Sequence, residues 1–296
     1  MKRNNPTVSI IIPIYNAEKY VTQTLDCVCH QTYKDLEIIC VLDGPPDNSA
    51  AVTKKYAKLD KRIIVLEQPR NMGMSVARNL GVKKSRGEFI HFMDSDDLID
   101  MEFYEKLVDA ITTADADVAV CDIIHERLPS RGLFSSEKII SSNSQDKYDH
   151  LSLSSPTANS ACRYMFRRSF WLRNKIEFPE HLRSIEDAAT TMPAIMKTNR
   201  VVQVPGATYI YKNRPSSIMT KKDKEFAKTR NKNTEIAKQI KLDTMAEYGI
   251  INKKPHIMKQ IKYRDPLLNR VVLKKVYYSD DRIFIYLFGI RILKIG

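Results

Sequence analysis

Three aspartates fall within four positions in Asp94-Ser95-Asp96-Asp97, and a second acidic pair, Glu186-Asp187, lies far along the chain. Carboxylate oxygens are hard donors. They suit Mg²⁺ or Mn²⁺, which keep waters and are held by one or two carboxylates together with substrate phosphates. A cation at Asp94 and Asp96 would bridge substrate phosphates and neutralise charge on a departing group. Helix capping is the competing reading of Asp97 or Asp100, each just ahead of an expected helix at Met101. Glu186-Asp187 likewise opens an expected helix, where acids suit the dipole. His91 sits mid-strand with no second histidine at a metal-binding interval, so it is expected to be a satisfied structural histidine.

The elements that position these acids alternate. Val8 to Tyr15 is a continuous apolar run, as in a strand buried on both faces. Asn16 is expected to cap a helix reaching about Gln31. A strand from Leu36 to Leu42 ends at the turn residues Asp43-Gly44-Pro45-Pro46-Asp47-Asn48, and a helix from Ser49 to Leu59 follows. The spacing then predicts a strand over 62–67, a helix over 75–84 and a strand over 88–93. The expected fold class is α/β: an open mixed sheet with helices on both faces. Ligands in such sheets bind beyond the carboxyl ends of the strands. Pro13-Ile14-Tyr15-Asn16, Asp43-Gly44 and Asp94 to Asp97 all fall there.

Further along, a helix over 101–114 and a strand over 117–121 precede a serine-rich stretch, 125–156, that reads as a surface excursion. A strand over 163–166, a short helix through Trp171, a helix over 186–197 and one or two strands over 201–213 complete the body. The expected division is a catalytic domain over 1–215, with a nucleotide half to about 121 and an acceptor half over 122–215. A basic region over 216–296 follows, helical over about 226–248 and ending in an apolar strand-like stretch.

Net charge is +13, and its placement is uneven: residues 216–296 hold 19 Lys and Arg against 8 Asp and Glu, whereas residues 1–215 are nearly balanced. A basic tail on a near-neutral body suits an anionic lipid surface or an acidic glycan. No nucleic-acid motif accompanies the charge, so no nucleic-acid partner is expected. The five cysteines are scattered and lack a C-x-x-C pair, which points to a reducing compartment. No apolar stretch is long enough to span a membrane, and the amino-terminal residues lack a signal-peptide pattern. The expected location is cytoplasmic, or peripheral on the inner face of the cell membrane.

The ordered set Val8 to Asn16, Asp43-Gly44, Asn71-Met72-Gly73 with Ala77-Arg78-Asn79-Leu80-Gly81, Gly87-Glu88-Phe89-Ile90, Asp94-Ser95-Asp96-Asp97 and Glu186-Asp187 resembles the family 2 glycosyltransferases, inverting enzymes of the GT-A fold, over roughly residues 7–218. The resemblance implies that Asp43 contacts a uracil base and that the backbone around Pro13 and Tyr15 lines the same pocket. Leu42 before Asp43 and Pro45-Pro46 after Gly44 depart from the family's usual two acids followed by Gly-Ser. Asp94, Ser95 and Asp96 match the donor site, with Asp96 the direct metal ligand and Asp94 near the ribose or the cation. Asp97 either positions the acceptor or caps a helix. Arg78 either orients the acidic cluster, approaches the donor, or is an exposed helical arginine. In Asp187 the resemblance implies the general base, oriented by Glu186. Lys212 and Arg214 stand in a tyrosine-led basic segment that either touches donor phosphates or forms a solvated turn.

The implied activity is transfer from a UDP-sugar to a hydroxyl of a glycan or lipid-linked acceptor, with Mn²⁺ or Mg²⁺ as cofactor, in cell-surface polysaccharide synthesis. A nucleotidyltransferase could share the acidic ligands but would carry a glycine-rich basic loop after the first strand. A catalytically silent binding module of the same fold is the other alternative. The terminal stretch 282–295 either meets an anionic membrane surface or packs against the body or the second subunit of a homodimer.

Overall fold

The computed structural model describes residues 6–126, 138–140, 143–151, 159–212, 224–251, 257–265, 270–278, 283–287 and 290–295. Two compact units divide the chain, residues 1–250 and 251–296.

In the first unit β1 (Val8–Ile14), α1 (Val21–Cys29), β2 (Leu36–Asp43), α2 (Ser49–Leu59), β3 (Ile63–Gln68), α3 (Met74–Lys84) and β4 (Phe89–Phe92) alternate as expected. Then come β5 (Leu98–Ile99), α4 (Phe103–Thr113), β6 (Val118–His125), β7 (Lys138–Ile140), α5 (Ser144–His150), β8 (Tyr164–Arg167), α6 (Arg168–Arg173), α7 (Glu186–Lys197), β9 (Val201–Tyr211) and α8 (Lys224–Glu247). The sheet runs β3-β2-β1-β4-β8-β6-β9-β5, with β7 also paired to β9. β1 pairs in parallel with β2 on one side and β4 on the other, while β8 is antiparallel to both β4 and β6. The sheet is therefore mixed. Its topological switch point lies between β1 and β4, whose carboxyl ends open the crevice where ligands bind in such folds.

Both faces of the sheet are covered, which explains the unbroken apolar run of β1. Ile10, Ile12 and Ile14 join a core with Leu25, Phe103 and Leu107, whereas Ile11 points to the other layer with Phe92, Phe166 and Trp171. Helix α3 lies close against this second face. A Cβ added to Gly81 would stand 2.3 Å from Cγ2 of Ile11, so the helix needs a residue without a side chain there.

Three expectations change. The first helix starts at Val21 rather than after Asn16, whose φ of 50° places it in a left-handed turn that leads the chain away from β1. Part of the serine-rich stretch forms regular elements: β7 pairs with β9, and α5 buries Tyr148, with Leu151 buried just after it. The rest of that stretch lies outside the described residues. Finally, α8 belongs with the body, because Ala237 packs with Leu182 and Ala189 in a small core bordered by Ile236 and Ile240. The first compact unit therefore closes after Ile250, where a division after residue 215 was expected.

The second unit is an antiparallel sheet of β10 (Ile257–Asp265), β11 (Arg270–Tyr278), β12 (Ile283–Leu287) and β13 (Ile290–Ile295), in that order. The terminal apolar stretch forms its last hairpin, with Leu287 opposite Ile290.

Candidate active site

Arg78 is the centre of the site. It lies on α3, is 1% exposed, and donates from Nη1 to Glu186 Oε1 at 2.9 Å and to Asp187 Oδ1 at 2.5 Å. Its Nη2 donates to Asp94 Oδ1 at 3.1 Å. One guanidinium thus ties the acid that follows β4 to the acid pair that opens α7. The guanidinium also stacks 5.1 Å above the Phe178 ring. A buried arginine of this kind is held charged by its carboxylates, and its fixed fork makes it the suitable residue for several acids at once. The exposed-helix reading of Arg78 is excluded by this burial.

Three carboxylates around one guanidinium leave an excess of negative charge. Burial, and next the charge of Asp187, push Glu186 up to about 7 against the counter-effect of Arg78. Asp187 is also raised, by burial first, with Arg78 opposing. Its Oδ2 accepts from the backbone N–H of Ala161 at 3.2 Å, which fixes the carboxyl plane. Each Asp187 oxygen still has a second lone pair for an incoming hydroxyl.

The loop that delivers the acid pair is fastened along α3. The Asn79 side chain donates to Phe178 O and accepts from Phe178 N, both at 2.9 Å, and Ser75 Oγ donates to Leu182 O at 3.3 Å. On the other side Asn233 of α8 donates to Ser184 Oγ at 3.2 Å. Between these anchors Ile185 adopts φ 65° and ψ 15°, a left-handed conformation that is costly for a β-branched residue. It turns the chain so that Glu186 and Asp187 face Arg78.

Asp97 points the other way. It is buried, accepting from Tyr209 Oη at 2.8 Å and from the backbone N–H of Lys212 at 2.8 Å. Burial, with Asp94 and Asp96 next, pushes it up to about 8. Helix α4 starts at Phe103 and has no side-chain cap, so Asp97 does not cap it. Tyr209 also accepts from the backbone N–H of Asp94, so Asp97 and Tyr209 brace the acidic turn from behind. Ser95 is buried within that turn, and Asp96 is half-buried.

At the end of β2, Asp43 accepts from the backbone N–H groups of Met72 and Gly73 at 2.6 and 2.9 Å. Burial raises its pKa, and these two amides oppose the rise. Its carboxylate therefore shapes the loop ahead of α3. Pro13 is buried in β1, and Tyr15 is exposed at its end. The Lys212 ammonium donates to Glu126. Arg214 lies outside the described residues.

Sequence reasoning passed over Arg183, Asn79 and Tyr209. Asn79 lies inside the Ala77 to Gly81 motif and Arg183 just ahead of Glu186-Asp187, but their partners lie about a hundred positions away, and no local pattern signals those contacts. His91 matches its expectation. Its ring nitrogens meet Tyr104 Oη at 3.0 Å and Cys162 O at 2.9 Å, and burial lowers its pKa to about 4. Among the described residues no group of three or more His, Cys, Asp or Glu side chains is arranged to hold a metal. Asp94 and Asp96, the expected ligands of a hard cation, lie in one turn, with Asp94 Oδ1 accepting from Arg78.

The sequence model described as Glycosyl transferase family 2 matches residues 9–172, more than half of the chain. The chain belongs to this family. It is 32% identical over 220 residues to the uncharacterized glycosyltransferase EpsJ of Bacillus subtilis, covering 72% of this chain and 63% of that protein. It is 30% identical over 210 residues to the poly(ribitol-phosphate) beta-N-acetylglucosaminyltransferase TarS of Staphylococcus aureus, covering 69% of this chain and 35% of that protein. The chain therefore spans less than two thirds of either relative. In three dimensions it resembles the crystal structure of residues 1–349 of S. aureus TarS in complex with UDP-GlcNAc, with a TM-score of 0.67 at 23% identity over 82% of this chain and 71% of that one. The GT-A expectation agrees with this likeness. A family 2 chain leaves the nucleotidyltransferase alternative without support. No described helix is long and apolar enough to cross a membrane.

Proposed function

We propose that this protein is an inverting glycosyltransferase that takes a sugar from a UDP-sugar and places it on a hydroxyl of a glycan or lipid-linked acceptor in cell-surface polysaccharide synthesis. The observation that carries the reading is the Arg78 node, which brings Asp94, Glu186 and Asp187 together at the switch point of the sheet. Family membership and the likeness to a fold that holds UDP-GlcNAc in TarS support it.

In this reading Asp187 takes the proton of the acceptor hydroxyl as that oxygen attacks the anomeric carbon, opposite the departing diphosphate. A base so placed contributes roughly 10²- to 10⁴-fold. Glu186 and Arg78 hold its carboxyl in place. Asp94 and Asp96 would hold Mn²⁺ or Mg²⁺, which when bound supplies positive charge at the diphosphate. Two carboxylates suffice because substrate phosphates and water complete the shell. Asp43 and the Met72 and Gly73 amides it holds, with Pro13 and Tyr15, form the wall for the nucleoside. Ser95 and Asp97 set the shape of the acidic turn, with the acceptor on its open side, and Lys212 and Arg214 follow on the segment after β9. The protein would work on the cytoplasmic side, its basic second unit resting on an anionic membrane surface.

A panel of nucleotide sugars, scored by UDP release with Mn²⁺ or Mg²⁺, with EDTA and with Asp96→Ala, tests this reading. Release from a UDP-sugar that falls to background in EDTA and in the variant is the expected result. Full release under either condition overturns the metal assignment. No release from any nucleotide sugar, with a range of glycan acceptors, favours the silent binding module.

A further inference from the structure

We propose that Arg183 is a donor-binding residue whose guanidinium meets the diphosphate of the nucleotide sugar; the inference rests on the sugar-nucleotide reading above. Arg183 is exposed on the loop that leads to Glu186-Asp187. It reaches back to the nucleotide side, where its Nη1 donates to Asn71 Oδ1 at 3.3 Å. It then lies over Gly73. A Cβ added there would sit 2.8 Å from Nη1 and 3.2 Å from Cδ, and Gly73 itself has φ +100°. The absence of a side chain at 73 is what lets the guanidinium cross the mouth of the crevice. Its charge reaches Asp43, whose ionised form it favours.

Charge accounting explains why a cation is wanted there. Asp94, Glu186 and Asp187 share the single Arg78 guanidinium, and Asp96 lies beside Asp94 in the same turn, so before a cation binds a diphosphate entering there meets more acids than bases. Arg78 cannot answer that charge, since it is buried and committed to three carboxylates. The Lys212 ammonium is paired with Glu126. Arg183 is held in place through a neutral amide, so its fork keeps its charge and further donors for an anion. Because Arg183 precedes the strained Ile185 by two positions, a donor gripped by it also steadies the loop that carries the base.

The test is UDP binding to the full chain in Mn²⁺, measured by calorimetry for the wild type, Arg183→Ala and Arg183→Lys, with melting temperatures alongside. A charge-assisted contact predicts at least about tenfold weaker UDP binding in Arg183→Ala at an unchanged melting temperature. Arg183→Lys should recover part of the loss. Equal UDP affinity in wild type and Arg183→Ala overturns the contact while leaving the donor reading intact. Failure of the wild type to bind UDP at all overturns the donor reading, and this inference with it.

Discussion

Arg78 Nη1 and Asp187 Oδ1 meet at 2.5 Å although 109 positions separate the two residues, and the same nitrogen also serves Glu186. The donor-side acids and the proposed base are therefore not independent parts. Removing the guanidinium leaves Asp94, Glu186 and Asp187 facing one another without compensation. Breaking a buried ion pair by deleting one partner costs about 3–5 kcal/mol. Arg78→Ala is accordingly expected to lower unfolding stability by about that amount and to abolish turnover, read by urea denaturation and UDP release. Arg78→Lys should restore part of the stability but little activity, because a single ammonium cannot reproduce the three-way fork. Wild-type stability in Arg78→Ala would contradict the node.

Asp187→Asn keeps the shape of the side chain and its bond to Ala161 N–H while removing the base. Turnover is expected to fall by at least about a hundredfold with donor affinity nearly unchanged. Steady-state kinetics beside UDP calorimetry separates the two effects, and loss of UDP affinity instead would place Asp187 on the donor. The product's anomeric configuration, read by NMR, should be inverted relative to the donor sugar.

Glu186 makes stability depend on pH. Its folded value is pushed up to about 7 from an ordinary 4.5. Between those values the folded protein holds a proton that the unfolded chain has released, so folding is favoured at low pH and that contribution is lost as pH rises through about 7. The melting temperature of the wild type should fall relative to Glu186→Gln between about pH 5 and 8. A difference between the two that stays constant across this range would show that Glu186 is ionised throughout.

Much of this arrangement was legible where chemistry is local. Helices α2 and α7 run as their periodicity indicates, and β1, β2 and β4 carry the apolar runs of a doubly covered sheet. Asp94 and Glu186-Asp187 stood out by composition and order. What joins them is less legible. Arg78 stands in a motif with three open readings, orienting the acids, approaching the donor or lying exposed, and only its burial among three carboxylates decides between them, while Asn79 pairs with Phe178 through side chain and backbone, a contact without sequence periodicity. Strand β5 is two residues long, held by antiparallel pairing to β9, and too short to leave a pattern. Asn16 was expected as a cap because asparagine serves both at helix starts and in left-handed turns, and sequence alone does not separate those uses. Helix α8 reads as part of a basic appendage because its charge outweighs the few apolar positions, Ile236, Ala237 and Ile240, that fasten it to the body.

The second unit gives the charge asymmetry a definite form. Residues opposite one another in register share a sheet face. One face takes the rows Tyr263, Leu273, Leu287, Ile290 and Ile261, Lys275, Ile285, Leu293; the other takes Lys262, Lys274, Tyr286, Arg291 and Gln260, Val276, Phe284, Lys294. In these rows four of eight positions on the second face are basic against one of eight on the first, where the terminal stretch alone reads as apolar on both sides. Basic residues close to an anionic surface contribute on the order of 1 kcal/mol each, so the four on that face can give reversible, salt-sensitive attachment. The full chain is expected to sediment with vesicles containing phosphatidylserine but not with phosphatidylcholine alone, and to be released at high salt. Ending the chain after Ile250, where the first compact unit closes, should remove binding. Reversing Lys262, Lys274, Arg291 and Lys294 to glutamate should remove it too while leaving UDP release unchanged. Equal sedimentation of the intact, shortened and charge-reversed proteins would show that the basic face is not a membrane contact.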